Sequence, residues 1–175
     1  MRHVISLLMN NQPGILSRIS ALFSGRGFNI ESINAAETLD PTLTRMTLVT
    51  IGNNEIIEQI LKQLNKLVDV VKVMDLTETE YVDREMALIK VTAEATARAE
   101  ILRIVDIFRG QVVDVSAKYY TVEVTGDEKK IQAIIDLLVP FGIPEIVRTG
   151  KVAISRMRRE GAFAAEENLQ KTPQN

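Results

Sequence analysis

The residues with the clearest capacity for chemistry are Asn11, Gln12, Pro13, Gly14, Ile15 and Leu16. Pro13 suits the first position of a helix, where a missing N–H leaves nothing unpaired. Gly14 has no side chain to hold a ligand away from the main chain. The amides of Gly14, Ile15 and Leu16 are expected to open that helix without intrahelical acceptors. Together with the helix dipole they form an anion site sized for one carboxylate. Asn11 precedes the turn and Asn29 lies in the next strand; their amide oxygens can accept from an ammonium group. Ile15, Leu16, Ile30, Ile33, Ala35 and Ala36 supply apolar wall. These features suit the binding of a neutral amino-acid zwitterion rather than the making or breaking of bonds. On spacing alone, such a turn is also compatible with a purely structural role.

The elements that position these residues follow from the hydrophobic period. Val4 to Met9 reads as a strand, and Ile15, Ile19, Leu22 and Phe23 fall on one helical face that Gly25 and Gly27 close. Phe28 to Ala35 and Arg45 to Ile51 read as strands separated by the Asp40-Pro41 turn. A second helix carries Ile56, Ile57, Ile60, Leu61, Leu64 and Leu67 on its buried side, and Asp69 to Leu76 closes the unit. The same order then repeats. Met86 to Val91 is a strand and Arg98 to Phe108 a helix. Gln111 to Val115 and Tyr119 to Thr125 are strands, and a helix over Ile131 to Leu138 leads to a last strand over Glu145 to Ile154. The predicted fold is α+β, with two tandem ferredoxin-like βαββαβ domains. The expected division is 1–77, a polar linker over 78–84, a second domain over 85–157, and a mixed-charge tail over 158–175 expected to be disordered.

The repeat supplies an internal control. The loop matching Asn11–Leu16 is Thr92-Ala93-Glu94-Ala95-Thr96-Ala97. It has neither Gly nor Pro, and Glu94 would repel a carboxylate. The two units therefore share a pattern but are not expected to share a ligand.

Composition removes most other chemistries. The chain has 175 residues, 21 basic and 23 acidic, for a net charge of −2. That balance argues against a broadly basic nucleic-acid surface. Recognition of RNA by this topology needs exposed aromatics on the sheet. Aromatics are 5% here, with Phe28, Tyr119 and Tyr120 as the strand candidates. The absence of cysteine excludes disulfides, thiolate metal sites and cysteine nucleophiles. The single histidine, His3, is expected at a surface or sheet edge, and no serine has another histidine to activate it. No apolar run approaches the roughly 20 residues of a membrane span. The opening Met-Arg-His-Val-Ile-Ser lacks a signal-peptide layout, and a cytoplasmic location is expected.

Several segments in order then carry a resemblance. They are Asn11-Gln12-Pro13-Gly14-Ile15-Leu16-Ser17-Arg18, Gly25-Arg26-Gly27-Phe28-Asn29-Ile30-Glu31-Ser32 and Asp40-Pro41-Thr42-Leu43-Thr44-Arg45-Met46-Thr47. Gln63 to Val70 and Phe108 to Val115 extend the match. Over about residues 1–158 the chain resembles the small regulatory subunits of acetolactate synthase, whose first domain is an ACT domain. The resemblance implies a catalytic large subunit as partner, carrying thiamine diphosphate, magnesium and FAD, and no cofactor in the present chain. It implies activation of that partner and feedback inhibition by valine or another branched-chain amino acid, with neither nucleic acid nor membrane as a partner. It also implies a homodimer through the ACT domain, with ligand at the interface. By resemblance, the ligand positions are Asn11, Gly14, Ile15 and Leu16 of one chain with Asn29 and Ile30 across the dimer. Asn34, Ala36 and Gln59 match positions tied to the site or its feedback sensitivity. The alternative is a stand-alone amino-acid-sensing dimer controlling another partner.

Overall fold

The computed structural model describes residues 1–156. The expected tail lies outside the described residues. In the first unit, β1 (Arg2–Asn10) leads into α1 (Ile15–Ser24), then β2 (Ile30–Glu37) and β3 (Leu43–Ile51). α2 (Asn54–Leu64) and β4 (Val70–Asp75) complete it. The strands form an antiparallel sheet in the order β2-β3-β1-β4. The second unit contains β5 (Tyr81–Thr92), α3 (Arg98–Ile107), β6 (Gln111–Val115), β7 (Tyr119–Gly126) and α4 (Glu128–Leu138). β8 (Glu145–Arg148) and β9 (Val152–Ser155) follow. Its main sheet runs β6-β7-β5-β8, the same order as the first. Two ferredoxin-like α+β units in tandem are therefore present.

Each sheet buries one face under its own pair of helices, as strand alternation and helical period together require. In the first unit Ile5, Leu7 and Met9 of β1 meet Ile15, Ile19 and Phe23 of α1 and Ile57, Ile60 and Leu64 of α2. In the second, Ile89 and Val91 of β5 meet Ile101, Val105, Ile131 and Ile134. Asn53 and Asp127 cap α2 and α4 by accepting from the amides of Ile56 and Lys130.

The opposite face of the first sheet is covered too. Val4, Val49 and Leu76 form a small third core with Met74, Tyr81 and Ala153. This arises because the last strand is not continuous. Gly150, at φ +75°, breaks it into β8 and β9, and β9 leaves the second sheet's edge to pair with Tyr81–Arg84. Residues 81–84, expected as connecting chain, are thus the first third of β5, because they have β9 to pair with. The Ala153 amide donates to Thr47 Oγ1 at 3.2 Å and joins the β5–β9 ribbon to the first sheet.

His3 is also placed differently from expectation. β1 lies between β3 and β4, not at an edge, and His3 is 4% exposed. Its Nδ1 lies 3.5 Å from Asp75 Oδ2, beyond useful hydrogen-bond geometry, and neither ring nitrogen is hydrogen-bonded.

Candidate functional site

The start of α1 is built differently from the expectation in one respect. Pro13 is not the first helical residue; it sits in the preceding turn. Gly14 is the N-cap, in a left-handed conformation at φ +86°, ψ −5° that a side chain would strain. The chain therefore reverses sharply between Asn11 and Ile15, and the Arg18 amide donates to Gly14 O at 3.0 Å. Ile15 donates weakly to Gln12 O at 3.4 Å, while the amides of Gly14, Leu16 and Ser17 have no acceptor among the described residues. α1 has neither a capping side chain nor an acidic residue in its first turn. The other three helices each carry an acid there: Glu55, Glu100 and Glu128. α1 thus carries no counter-charge of its own in the first turn at the positive end of its dipole.

An open groove of about 510 Å³ lies in front of this helix start. Asn11, Gly14, Ile15, Leu16 and Ala36 line it, together with Met9, Ala35, Glu37 and Thr44. The Asn11 side chain is fixed, its Nδ2 donating to Glu37 Oε1 and Pro41 O, both at 3.0 Å. That leaves the Asn11 Oδ1 and the Glu37 carboxylate as acceptors beside the open amides. Glu37 was missed by sequence reasoning. Its signal was present: it follows Ala36 at the end of β2, and its register partner Thr44 also lines the groove.

The remaining expected residues lie elsewhere in the chain. Asn29 precedes β2, its carbonyl accepting from Thr50 Oγ1 at 2.5 Å. With Ile30 it lines a second groove of about 510 Å³ between the two units, alongside Arg2, Glu31, Glu85, Glu128, Arg148 and Lys151. Asn34 reaches across to the second unit, donating to Thr149 O at a long 3.4 Å. Gln59 is on the exposed side of α2 and lines neither groove.

The inter-unit groove is walled by paired charges. Arg2 donates to Glu31 Oε2 at 2.5 Å and Oε1 at 3.2 Å, and pairs with Glu128 of α4. Its hydrogen bond holds the Glu128 carboxyl below the usual range. Arg148 donates two bonds of 2.7 Å to the buried Glu85, and Lys151 lies 3.0 Å from Asp83. Arg148 and Lys151 are thereby both paired with acids. Of the three aromatic candidates for base stacking, Tyr119 is exposed and the other two are occupied. Phe28 packs edge-on against Phe23, with ring centres 6.4 Å apart, and Tyr120 is buried beneath Arg98. No helix of the described residues is long and apolar enough to cross a membrane.

Residues 5–72 match the model for the AHAS small subunit-like ACT domain, and residues 84–157 match that for the small subunit of acetolactate synthase. The acetolactate synthase small subunit of Aquifex aeolicus is 53% identical over 168 residues, covering 95% of this chain and 86% of that one. The chain belongs to the acetolactate synthase small-subunit family. The Haemophilus influenzae small subunit is 50% identical over 157 residues, 89% of this chain and 96% of its own. The crystal structure of the small subunit from Thermotoga maritima superposes with a TM-score of 0.82 at 43% identity, covering 90% and 99% of the two chains. The first unit of this small subunit is accordingly an ACT domain. The groove at the start of α1 and the residues Asn29 and Ile30 both lie in that domain.

Proposed function

We propose that this small subunit is a non-catalytic regulator that activates the catalytic large subunit and makes it sensitive to a branched-chain amino acid, valine first. The observation that carries the reading is the start of α1. Open amides and a first turn without an acid of its own suit a carboxylate. Asn11 Oδ1 and Glu37 suit an ammonium group, and Ile15, Leu16, Ala35 and Ala36 suit a short aliphatic side chain. In this reading two copies pair through the ACT domain. Asn29 and Ile30 of one chain then complete the groove of the other, which accounts for their separation within a single chain. Thiamine diphosphate, magnesium and FAD sit in the large subunit, and this chain contributes no cofactor.

A ligand held between two chains couples its affinity to their relative geometry. A differential affinity of about 1–3 kcal/mol between activating and inhibited assemblies changes activity roughly 5–150-fold. The coupling is reciprocal, so the large subunit weakens valine binding if valine disfavours the active complex. The test mixes the purified chain with the large subunit and measures acetolactate output with and without valine. A rise on mixing and a fall with valine are expected; no rise and no valine effect refute the reading.

A further inference from the structure

The groove at the start of α1 has a polar floor on the sheet. Met9 of β1, Thr44 of β3 and Glu37 of β2 stand directly opposite one another across the strands. Opposed residues of antiparallel strands share a face, and Met9 belongs to the same core as Ile15, so the row lies on the α1 side. All three residues line the groove. Thr44 is 9% exposed, and its hydroxyl has no hydrogen-bond partner among the described residues. A buried hydroxyl without a partner carries a desolvation cost, and its presence calls for an explanation. Here the hydroxyl faces a groove that a ligand can fill.

Unused acceptors gather on this floor. Glu37 Oε1 accepts from Asn11 Nδ2 at 3.0 Å, which leaves Glu37 Oε2 without a partner among the described residues. The same Nδ2 donates to Pro41 O at 3.0 Å, so both Asn11 donors are engaged and its Oδ1 remains for a ligand. Asn11 Oδ1, Glu37 Oε2 and the Thr44 hydroxyl are thus three acceptors on one groove, and an ammonium group brings three N–H donors. The start of α1 offers the opposite chemistry, the open amides of Gly14, Leu16 and Ser17. The groove is therefore polarised, with donors on the helix and acceptors on the sheet. A carboxylate without an ammonium group meets the amides but leaves Glu37 and Thr44 unpaired.

We propose that Glu37 and Thr44 together recognise the ligand's ammonium group, so that the groove accepts a free α-amino acid and rejects acids of the same carbon skeleton that lack the amine. The inference rests on the amino-acid reading above and deepens it. The regulator then responds to the aminated compound and not to the α-oxo acid from which an amination makes it. The two residues contribute differently. Glu37 is the one charged residue lining the groove, so it supplies the charge that favours a cation. Thr44 supplies position, because its hydroxyl is carried on a β-branched side chain that is stiff at χ1, within a paired strand. A site built around a hydrogen-bonding group discriminates strongly against an analogue without it, since its own buried polar groups are then left unpaired.

The test is calorimetry on the full-length chain with two probes, valine and its α-hydroxy analogue. The analogue keeps the carboxylate, the side chain and the tetrahedral α-carbon, and replaces the ammonium with a neutral hydroxyl. The parent is expected to prefer valine by about a hundredfold or more. Glu37→Gln keeps an acceptor for Asn11 and removes the charge, and its preference is expected to fall to about tenfold or less. Thr44→Val is expected to bind valine about three- to tenfold more weakly. Its thermal melting should not fall, because no hydrogen bond within the chain is lost, and Thr44→Ser should recover most of the affinity. A Glu37→Gln chain with the parental preference overturns the role of Glu37. A Thr44→Val chain that binds valine like the parent, or that melts well below it, overturns the role of Thr44. A parent that binds both probes equally overturns the proposal and leaves the regulatory reading standing. A parent that binds neither probe, and confers no valine effect on the large subunit, overturns both.

Discussion

Replacing Gly14 tests the ligand site most directly, because the structure separates its two consequences. Gly14 sits at φ +86°, and a Cβ built there meets nothing within 4 Å. A side chain is therefore accommodated in space, and its cost is conformational, about 1–2 kcal/mol for left-handed backbone. Asp and Asn lie at the low end, since both tolerate that region. A domain stable by about 5–15 kcal/mol survives this. The ligand term is larger. In Gly14→Asp a carboxylate points into the groove where the ligand's own carboxylate meets the open amides. Two like charges about 4 Å apart repel by about 4 kcal/mol at an effective dielectric of about 20, on the order of a thousandfold in affinity. Gly14→Asn has the same shape and the same strain without the charge. Calorimetry is expected to show no valine binding to the Asp variant and a loss of about tenfold or less for Asn. In the acetolactate assay the Asp variant still activates the large subunit but no longer responds to valine. Valine binding by the Asp variant within a few-fold of the parent would refute the carboxylate site. An Asn variant as damaged as the Asp one would refute the electrostatic argument in favour of turn geometry.

Other consequences are more local. Asn29→Ala is expected to weaken valine inhibition by about 1–2 kcal/mol, one lost hydrogen bond, read as a shift in the inhibition midpoint. Arg148→Met leaves the 6%-exposed Glu85 carboxylate without its two donors. It should destabilise by about 3 kcal/mol in chemical denaturation, with Glu85→Gln in the same chain recovering most of the loss. Gly150→Ala adds strain at φ +75° and places a Cβ 2.9 Å from Ser32 Cβ. A loss of about 2 kcal/mol is expected in thermal melting, and Ser32→Gly relieves the contact but not the backbone strain. The Glu128 carboxyl is held down chiefly by Arg2, so its contribution to stability is present above the unfolded value of 4.5 and lost as pH falls through the lower folded value. Both partners are about 40% exposed in their side chains, which limits that contribution to less than about 1 kcal/mol. Glu128→Gln should flatten the acid limb of the stability–pH curve by that amount.

The sequence reveals the features governed by local rules. Helices α1 to α4 and the doubled topology follow from hydrophobic period and turn residues, which act within a few positions. The groove at the start of α1 is legible for the same reason, since one turn carries Asn11, Gly14, Ile15 and Leu16. What escaped depends on distant partners. Residues 81–84 read as polar linker because the strand that completes them, β9, lies some 70 residues later in the chain. The break at Gly150 was read through as part of one strand over Glu145 to Ile154, since only the close approach of Ser32 and the positive φ give that glycine its meaning. His3 read as an edge residue because nothing in its neighbourhood says that β1 is central. Glu37 was not singled out, because its hold on Asn11 joins two positions 26 residues apart.

The two units show how little separates a receptive helix start from a closed one. Both have the same strand order and neither α1 nor α3 has a capping side chain. At α1 the cap is Gly14 in left-handed backbone, and a groove lies before the amides. At α3 the cap is Ala97 at φ −95°, and the chain continues smoothly into the helix, with Glu94 O accepting from both Ala97 and Arg98. The Arg98 side chain then folds over the loop, donating to Ala93 O at 3.1 Å and Ala117 O at 2.7 Å. Glu100 meanwhile supplies the negative charge that the dipole favours. The amides of Ala99 and Glu100, like those of Leu16 and Ser17, have no acceptor among the described residues, so the two starts differ in the backbone of the cap, the groove before it and the acid in the first turn. One sign of φ, set by one glycine, and one missing acid account for the difference. A duplicated fold can therefore keep its core in both halves while the caps of the equivalent helices diverge.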